Sequence, residues 1–305
     1  MWFKMTFGVV MTEPSSLLIA FASWEDRFVE GVLQDLNEID CPQLLVFYFS
    51  DYCDRTESGR NTIQKECSKR SICYEEVSLD STGTENNLRC LDAAIRKVDD
   101  TLPIVIDIST MPREIIWHIF WLCEFRKGPS LYRYYSPEKY SENWLSRNPS
   151  RPRLVHKLSG VASPQLKTVL LLAVGYDFQR VSQLISFFEP SKSLLALQAD
   201  SPFPGNEPSM GRYVNDLRGG EQIKTFPIDA YDAEHGYSAV EQQLEGVVEE
   251  NNVIIGSLGP KLTAVSLYRI RQKWPQISLV YAPAKEFNRD YSHGIGCLYE
   301  GTVKT

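Results

Sequence analysis

Two five-residue segments collect the side chains that hold phosphate. Ser109-Thr110-Met111-Pro112-Arg113 and Ser257-Leu258-Gly259-Pro260-Lys261 each run from a hydroxyl through a proline to a cation. Both follow an aliphatic run and precede a stretch of helical periodicity, so each reads as a strand end leading into a helix start. Proline suits a first helical turn, where backbone N–H groups lack acceptors within the helix. Those free amides and the positive end of the helix dipole attract anions. Ser109, Thr110, Arg113, Ser257, Gly259 and Lys261 are therefore candidate ligand contacts. The competing reading makes the serines helix caps and the cations solvated. A basic residue is unfavourable at a helix start, and its recurrence argues for ligand contact.

A second pair lies at the predicted end of an earlier strand. Trp24-Glu25-Asp26-Arg27 and Tyr176-Asp177-Phe178-Gln179-Arg180 each combine an aromatic ring, an acid and an arginine. Trp24 or Tyr176 could stack a base while Arg27 or Arg180 holds a phosphate; a capped helix start accounts for the same residues. Tyr135-Ser136-Pro137-Glu138-Lys139 and Tyr281-Ala282-Pro283-Ala284-Lys285 follow a fifth strand and add Lys139 and Lys285 to the pocket rim, with Tyr291 further on. Asp107 has Ile255 at the matching sequence position. A carboxylate there could serve as general base or metal ligand, or belong to a polar network. No second acid at metal-site spacing accompanies it, and no metal is expected. No Ser-His-Asp or Cys-His arrangement, GxGxxG or P-loop is present, so no cofactor is expected either.

The elements that must position these residues alternate aliphatic runs with helical periodicity, the pattern of parallel sheets wrapped by helices. Strands are predicted near 16–22, 43–50, 72–78, 103–108 and 130–135, with helices near 25–37, 59–70, 86–99 and 112–126. The order repeats in strands near 168–174, 193–198, 222–228, 252–257 and 277–282, and helices near 178–188, 209–218, 238–250 and 261–273. The recurring segments lie 153, 148 and 146 residues apart, as a duplication with small deletions would leave them. The expected fold is α/β: two tandem doubly wound, mainly parallel Rossmann-like domains related by internal duplication. Their expected bounds are 1–148 and 167–305, with a Pro- and Arg-rich linker at 149–166. In such sheets ligands bind at the strand carboxyl ends.

A net charge of −7 disfavours a broad duplex-binding surface, which needs clustered Lys and Arg. It leaves room for a small basic pocket. Seven cysteines, an odd number without zinc-site spacings, and four scattered histidines suggest thiols kept reduced in a cytoplasmic protein. No apolar run is long enough to span a membrane, and Met1–Val10 is too short for a secretion signal. Translation could begin at Met1 or Met11. The helix at 115–123, Ile-Ile-Trp-His-Ile-Phe-Trp-Leu-Cys, is apolar on nearly all sides, whereas a helix on one sheet face keeps a polar stripe. It suggests an interface with the other domain or a second chain.

The Ser-x-x-Pro-Arg/Lys loops resemble the ligand loop of CRISPR-associated Rossmann fold (CARF) sensor domains, and the tandem arrangement is similar to the sensing module of SAVED-type effectors. The proline before the basic residue departs from the usual glycine- and threonine-rich loop. The resemblance implies a regulatory protein of a prokaryotic, antiviral system that binds a nucleotide or cyclic oligonucleotide, with a protein partner supplying the output. Two alternatives stand beside it. One is a nucleotide- or RNA-processing enzyme using Asp107, Ser109 and Arg113. The other is a scaffolding subunit that docks through the apolar helix.

Overall fold

The structure, a computed structural model, describes residues 15–141, 144–175, 177–199 and 222–303. Tyr176 and the predicted helix at 209–218 lie outside the described residues. The chain divides into two compact units, Met1–Ser141 with Arg289–Thr305, and Glu142–Asn288.

The first unit is a mixed α/β unit. Its strands β1 (Leu17–Phe21), β2 (Gln43–Phe49), β3 (Cys73–Leu79), β4 (Ile104–Asp107) and β5 (Ser130–Tyr135) alternate with helices α1 (Asp26–Glu38), α2 (Cys53–Lys69), α3 (Thr84–Ile95) and α4 (Arg113–Glu124). The five strands are parallel, in the order β5-β4-β1-β2-β3. The inner strand β1 is entirely buried, as strands covered on both faces are. One face packs Leu18, Ala20, Leu44, Val46 and Val105 against Phe28, Val32 and Leu36 of α1 and Ile63 and Cys67 of α2. The other meets α4, whose Phe120 ring lies 6.3 Å from Tyr132, and α3 packs beside α4.

The sixth strand of this sheet comes from the far end of the chain. Strand β16 (Leu298–Thr302) pairs antiparallel with β5, Leu298 opposite Tyr135 and Thr302 opposite Leu131. Short strands β6 (Lys139–Tyr140) and β15 (Ser292–His293) also pair antiparallel. The tail expected in the second domain thus belongs to the first unit, because β5 has an open edge whose N–H and C=O groups the tail satisfies.

In the second unit the strands β9 (Lys167–Ala173), β10 (Lys192–Gln198), β11 (Ile223–Ile228), β12 (Asn251–Ser257) and β13 (Ser278–Tyr281) are parallel, in the order β13-β12-β9-β10-β11. Matched by rank, this is the order of the first sheet. The helices are α5 (Phe178–Phe188), α6 (Tyr237–Leu244), α7 (Val247–Glu250) and α8 (Leu262–Lys273). Leu170, Leu172, Leu195, Leu197, Ile254 and Val280 pack against Val181 and Leu184 of α5. The stretch expected as a linker folds into this unit: β8 (Arg153–Leu154) adds antiparallel to β13, and β7 (Ser146–Pro149) pairs with β14 (Ala284–Phe287).

Helix α4 is buried in the isolated chain from Glu114 to Phe120 and again at Leu122 and Cys123. A second chain is not needed to cover it. Among the described residues no helix is long and apolar enough to cross a membrane.

Candidate functional site

In each sheet the strand order reverses between the inner strand and its fourth-ranked neighbour, β1 and β4 in one unit, β9 and β12 in the other. Loops at such a reversal part to open a crevice in many parallel sheets. Here they are bonded to each other. Thr110 Oγ1 donates to Phe21 O at 2.6 Å. In the second unit Leu258 N and Gly259 N both donate to Ala173 O, at 2.7 and 3.0 Å. The backbones are so close there that a Cβ on Gly175 would stand 2.1 Å from Leu258 O, and one on Gly259 3.0 Å from Val174 O. These glycines serve the packing of backbone on backbone.

Ladder registers decide which residues hold equivalent places. Ala22 N bonds Phe47 O just past β1, as Val174 N bonds Ala196 O just past β9. Counting back three, Ile19 faces Ile106 and Leu171 faces Ile255. Asp107 therefore holds the place of Gly256, and Ser257 that of Ile108. Likewise Ile106 faces Tyr132 while Ile255 faces Leu279, so Arg133 matches Val280 and Tyr135 matches Ala282. Helix α4 opens at Arg113 and α8 at Leu262, and the residues capping them are Pro112 and Lys261. The sequence offsets are thus out by one residue at each strand, and a one-residue slip moves a side chain to the opposite face. Ser109 and Ser257 are not equivalent, and the two cations stand one position apart.

Asp107 and Ser109 come together, but inward. Ser109 is 0% and Asp107 2% exposed. Asp107 Oδ1 accepts Ser109 N at 2.8 Å and also the Ser109 hydroxyl, whose oxygen in turn accepts Tyr135 N at 2.8 Å. The pair ties the end of β4 to β5 and is shut away from solvent, so in this geometry the Asp107 carboxylate is engaged by Ser109. Ser257 is also buried, its hydroxyl 2.7 Å from Thr263 Oγ1.

Around Asp107 lies a buried ionic network. Asp35 Oδ1 accepts both the Tyr135 hydroxyl and Arg133 Nη1, each at 2.7 Å. Arg133 Nη2 bonds Glu38, and its Nε lies 3.5 Å from Glu300 of β16. Among the described residues Asp35 Oδ2 is buried with no hydrogen-bond partner. Burial, with Asp107 adding to it, pushes the Asp35 carboxyl up to about 8, even against the pull of Arg133. Gly31 leaves room for this group: a Cβ there would stand 3.1 Å from the Tyr135 ring and 3.4 Å from Asp107 Oδ2.

Arg27 and Arg180 are clamps. Arg27, 1% exposed, donates through Nη1 to Tyr135 O at 3.2 Å and pairs with Glu25, which also accepts the Ser292 hydroxyl. Arg180 donates through Nη1 to Ala282 O at 3.1 Å and pairs with Asp177 at 2.8 Å. Tyr135 and Ala282 are ladder counterparts, so both arginines tie a helix start to the end of the fifth strand. A guanidinium with three donor nitrogens suits that double task better than lysine would.

The remaining candidates divide by exposure. Arg113 opens α4 half-buried, and Lys261 caps α8 half-buried. Lys139 is exposed on β6, near the Tyr140–Tyr291 ring pair at 6.1 Å. Lys285 is exposed on β14 of the second unit. Trp24 is half-buried and meets Tyr52, ring centroids 5.4 Å apart, with the Arg55 guanidinium 5.5 Å from the Trp24 ring and 5.7 Å from the Tyr52 ring. Sequence reasoning missed Tyr52 and Arg55. The signal was present in Asp51-Tyr52-Cys53-Asp54-Arg55 directly after a strand, but it fell in the interval between the strand expected to 50 and the helix expected from 59. It is instead a 3₁₀ turn and the start of α2.

Among the described residues no cluster of His, Cys, Asp or Glu could hold a metal ion. Compared with known proteins, the chain matches no protein-family model and no curated protein sequence.

Proposed function

We propose that this chain is a nucleotide-binding regulatory protein built from two duplicated Rossmann-like units, each binding an anionic ligand at its strand carboxyl ends. The observation that carries the reading is the pair of half-buried cations at corresponding helix starts, Arg113 opening α4 and Lys261 capping α8. A fixed positive charge at a helix start adds to the positive end of the helix dipole, and the two together attract an anion. A fixed charge at the positive end of a helix suits a phosphate. The shared strand order supports the duplication, and so does the common carbonyl tie made by Arg27 and Arg180, which stand one position apart, second in α1 and third in α5. A regulatory role, with a CARF-like sensor as the pattern and a separate partner for output, rests on the loop resemblance. A binding role fits better than turnover, since Asp107 and Ser109 are spent on holding β4 to β5.

The test is calorimetric titration of the full chain with nucleoside monophosphates and short cyclic oligonucleotides, in wild type, Arg113→Ala and Lys261→Ala. The reading expects saturable binding that each substitution weakens about 10-fold or more, the size of a lost charge-assisted contact. Binding by none of these compounds, or binding that both variants leave unchanged, refutes it.

A further inference from the structure

The arginine that sequence reasoning placed beside Trp24 is Arg27, which is buried; the one that stands there is Arg55. Arg55 is exposed in the first turn of α2, with its guanidinium near two ring faces at 5.5 and 5.7 Å. Trp24 and Tyr52 are both half-buried, their ring planes at 57°. Neither ring belongs to the aliphatic core of the α1–α2 face. Beside them Asp51, exposed, accepts the Ser81 hydroxyl from the loop after β3. Burial and Asp51 raise the Tyr52 hydroxyl above its ordinary value, so it stays a proton donor at neutral pH. Two rings, an exposed guanidinium, a phenol donor and a carboxylate acceptor make a surface that can stack a flat heterocycle and bond its polar edge.

We infer that Trp24, Tyr52 and Arg55 form the stacking subsite for a nucleobase. The inference rests on the nucleotide reading above for the phosphate end and adds the base end. The loops bearing Arg113, Trp24 and Tyr52–Arg55 follow β4, β1 and β2, which are adjacent in the sheet. Two strand spacings are about 10 Å, the scale of a nucleotide from phosphate to base. The Thr110–Phe21 bond lies at the ends of β4 and β1 and forms a floor beneath such a ligand. Base–aromatic stacking tolerates any base and favours the larger purine face, so purine nucleotides bind more tightly than pyrimidine ones.

The experiment titrates the full chain with adenosine monophosphate, adenosine and ribose 5-phosphate, in wild type, Trp24→Leu and Arg55→Ala. Arg55→Ala alters an exposed side chain, and circular dichroism checks the fold of both variants. The inference expects each substitution to weaken adenosine monophosphate about 10-fold or more and to leave ribose 5-phosphate unchanged. Equal wild-type affinity for adenosine monophosphate and ribose 5-phosphate, with no effect of either substitution, overturns the base subsite and spares the phosphate reading. Adenosine bound by wild type and lost in the variants, with ribose 5-phosphate not bound, sustains the base subsite and sinks the phosphate reading. No binding of adenosine or its monophosphate overturns the subsite.

Discussion

Arg133→Val tests what the buried network does for the first unit. The second sheet carries Val280 at the same place, so valine is compatible with this strand geometry. Arg133 is 4% exposed and is bonded to Asp35, which is 0% exposed. At pH 9, above the value of about 8 to which burial raises Asp35, the carboxylate is ionised. Removing the cation there leaves it buried and unpaired, and breaking a buried pair costs about 3–5 kcal/mol. In a domain of this size each kcal/mol moves the midpoint by about 2–4 °C, so the first unit should melt roughly 6–20 °C lower. Removing both partners is different, because an apolar replacement of similar volume is nearly neutral. Arg133→Val combined with Asp35→Leu should therefore recover more than half of the loss. Calorimetric melting of the four proteins at that pH gives the coupling between the two sites. A loss under about 1 kcal/mol in Arg133→Val, or strict additivity in the double variant, would show that the network is not electrostatically coupled as its geometry requires.

Further outcomes follow from the same contacts. Asp35 titrates near 8 in the fold and near the ordinary carboxylate value of 3.8 when unfolded, so between those values the folded state holds a proton that the unfolded state lacks. Its contribution is complete below about 3.8 and is lost as pH rises toward about 8, at about 1.4 kcal/mol per pH unit; Asp35→Asn should flatten this part of a denaturation-versus-pH curve. Gly175→Ala drives a Cβ to 2.1 Å from Leu258 O and should cost the second unit about 1–3 kcal/mol as overpacking, read as a lower midpoint for that unit alone. Ending the chain after Asn288 uncovers the β5 edge, Tyr132 and Tyr134 included. Light scattering should then show aggregation, and a soluble, fully cooperative first unit would contradict the role given to β16.

Strands such as β1, β2, β9, β10 and β12 are legible in the sequence because each contains a continuous aliphatic or β-branched run, the signature of burial on both faces. Strands β3 (Cys-Tyr-Glu-Glu-Val-Ser-Leu) and β11 (Ile-Lys-Thr-Phe-Pro-Ile) instead carry charged residues and are legible from their place in the alternation of strands and helices. Helices α1, α5 and α8 are legible because their apolar residues recur at helical spacing, and α4 because an apolar run of helical length follows Pro112-Arg113. Strands β6, β7, β8, β14 and β15 escape because they are two to four residues long, and one of them contains Pro149. Strand β16, Leu-Tyr-Glu-Gly-Thr, was folded into the wrong unit because its partner β5 lies far back in the chain, a pairing that local periodicity cannot see. The likeness of the two Ser-to-cation loops was legible, but their register was not. Residue likeness aligned Ser109 with Ser257, whereas the hydrogen-bonded ladders align Ser257 with Ile108. Arg27 looked like a ligand contact because its type suits phosphate; only the fold shows that a backbone carbonyl of β5 claims it. Arg55 went unnoticed because the first two turns of α2 are polar and lack an apolar stripe.

The most direct measurement is crystallographic: the structure of the full chain grown with a saturating purine nucleoside monophosphate. The account predicts phosphate density within hydrogen-bond reach of the Arg113 guanidinium at the first turn of α4, with the base against Trp24. Density for the nucleotide elsewhere, with the first turn of α4 bare, would contradict it.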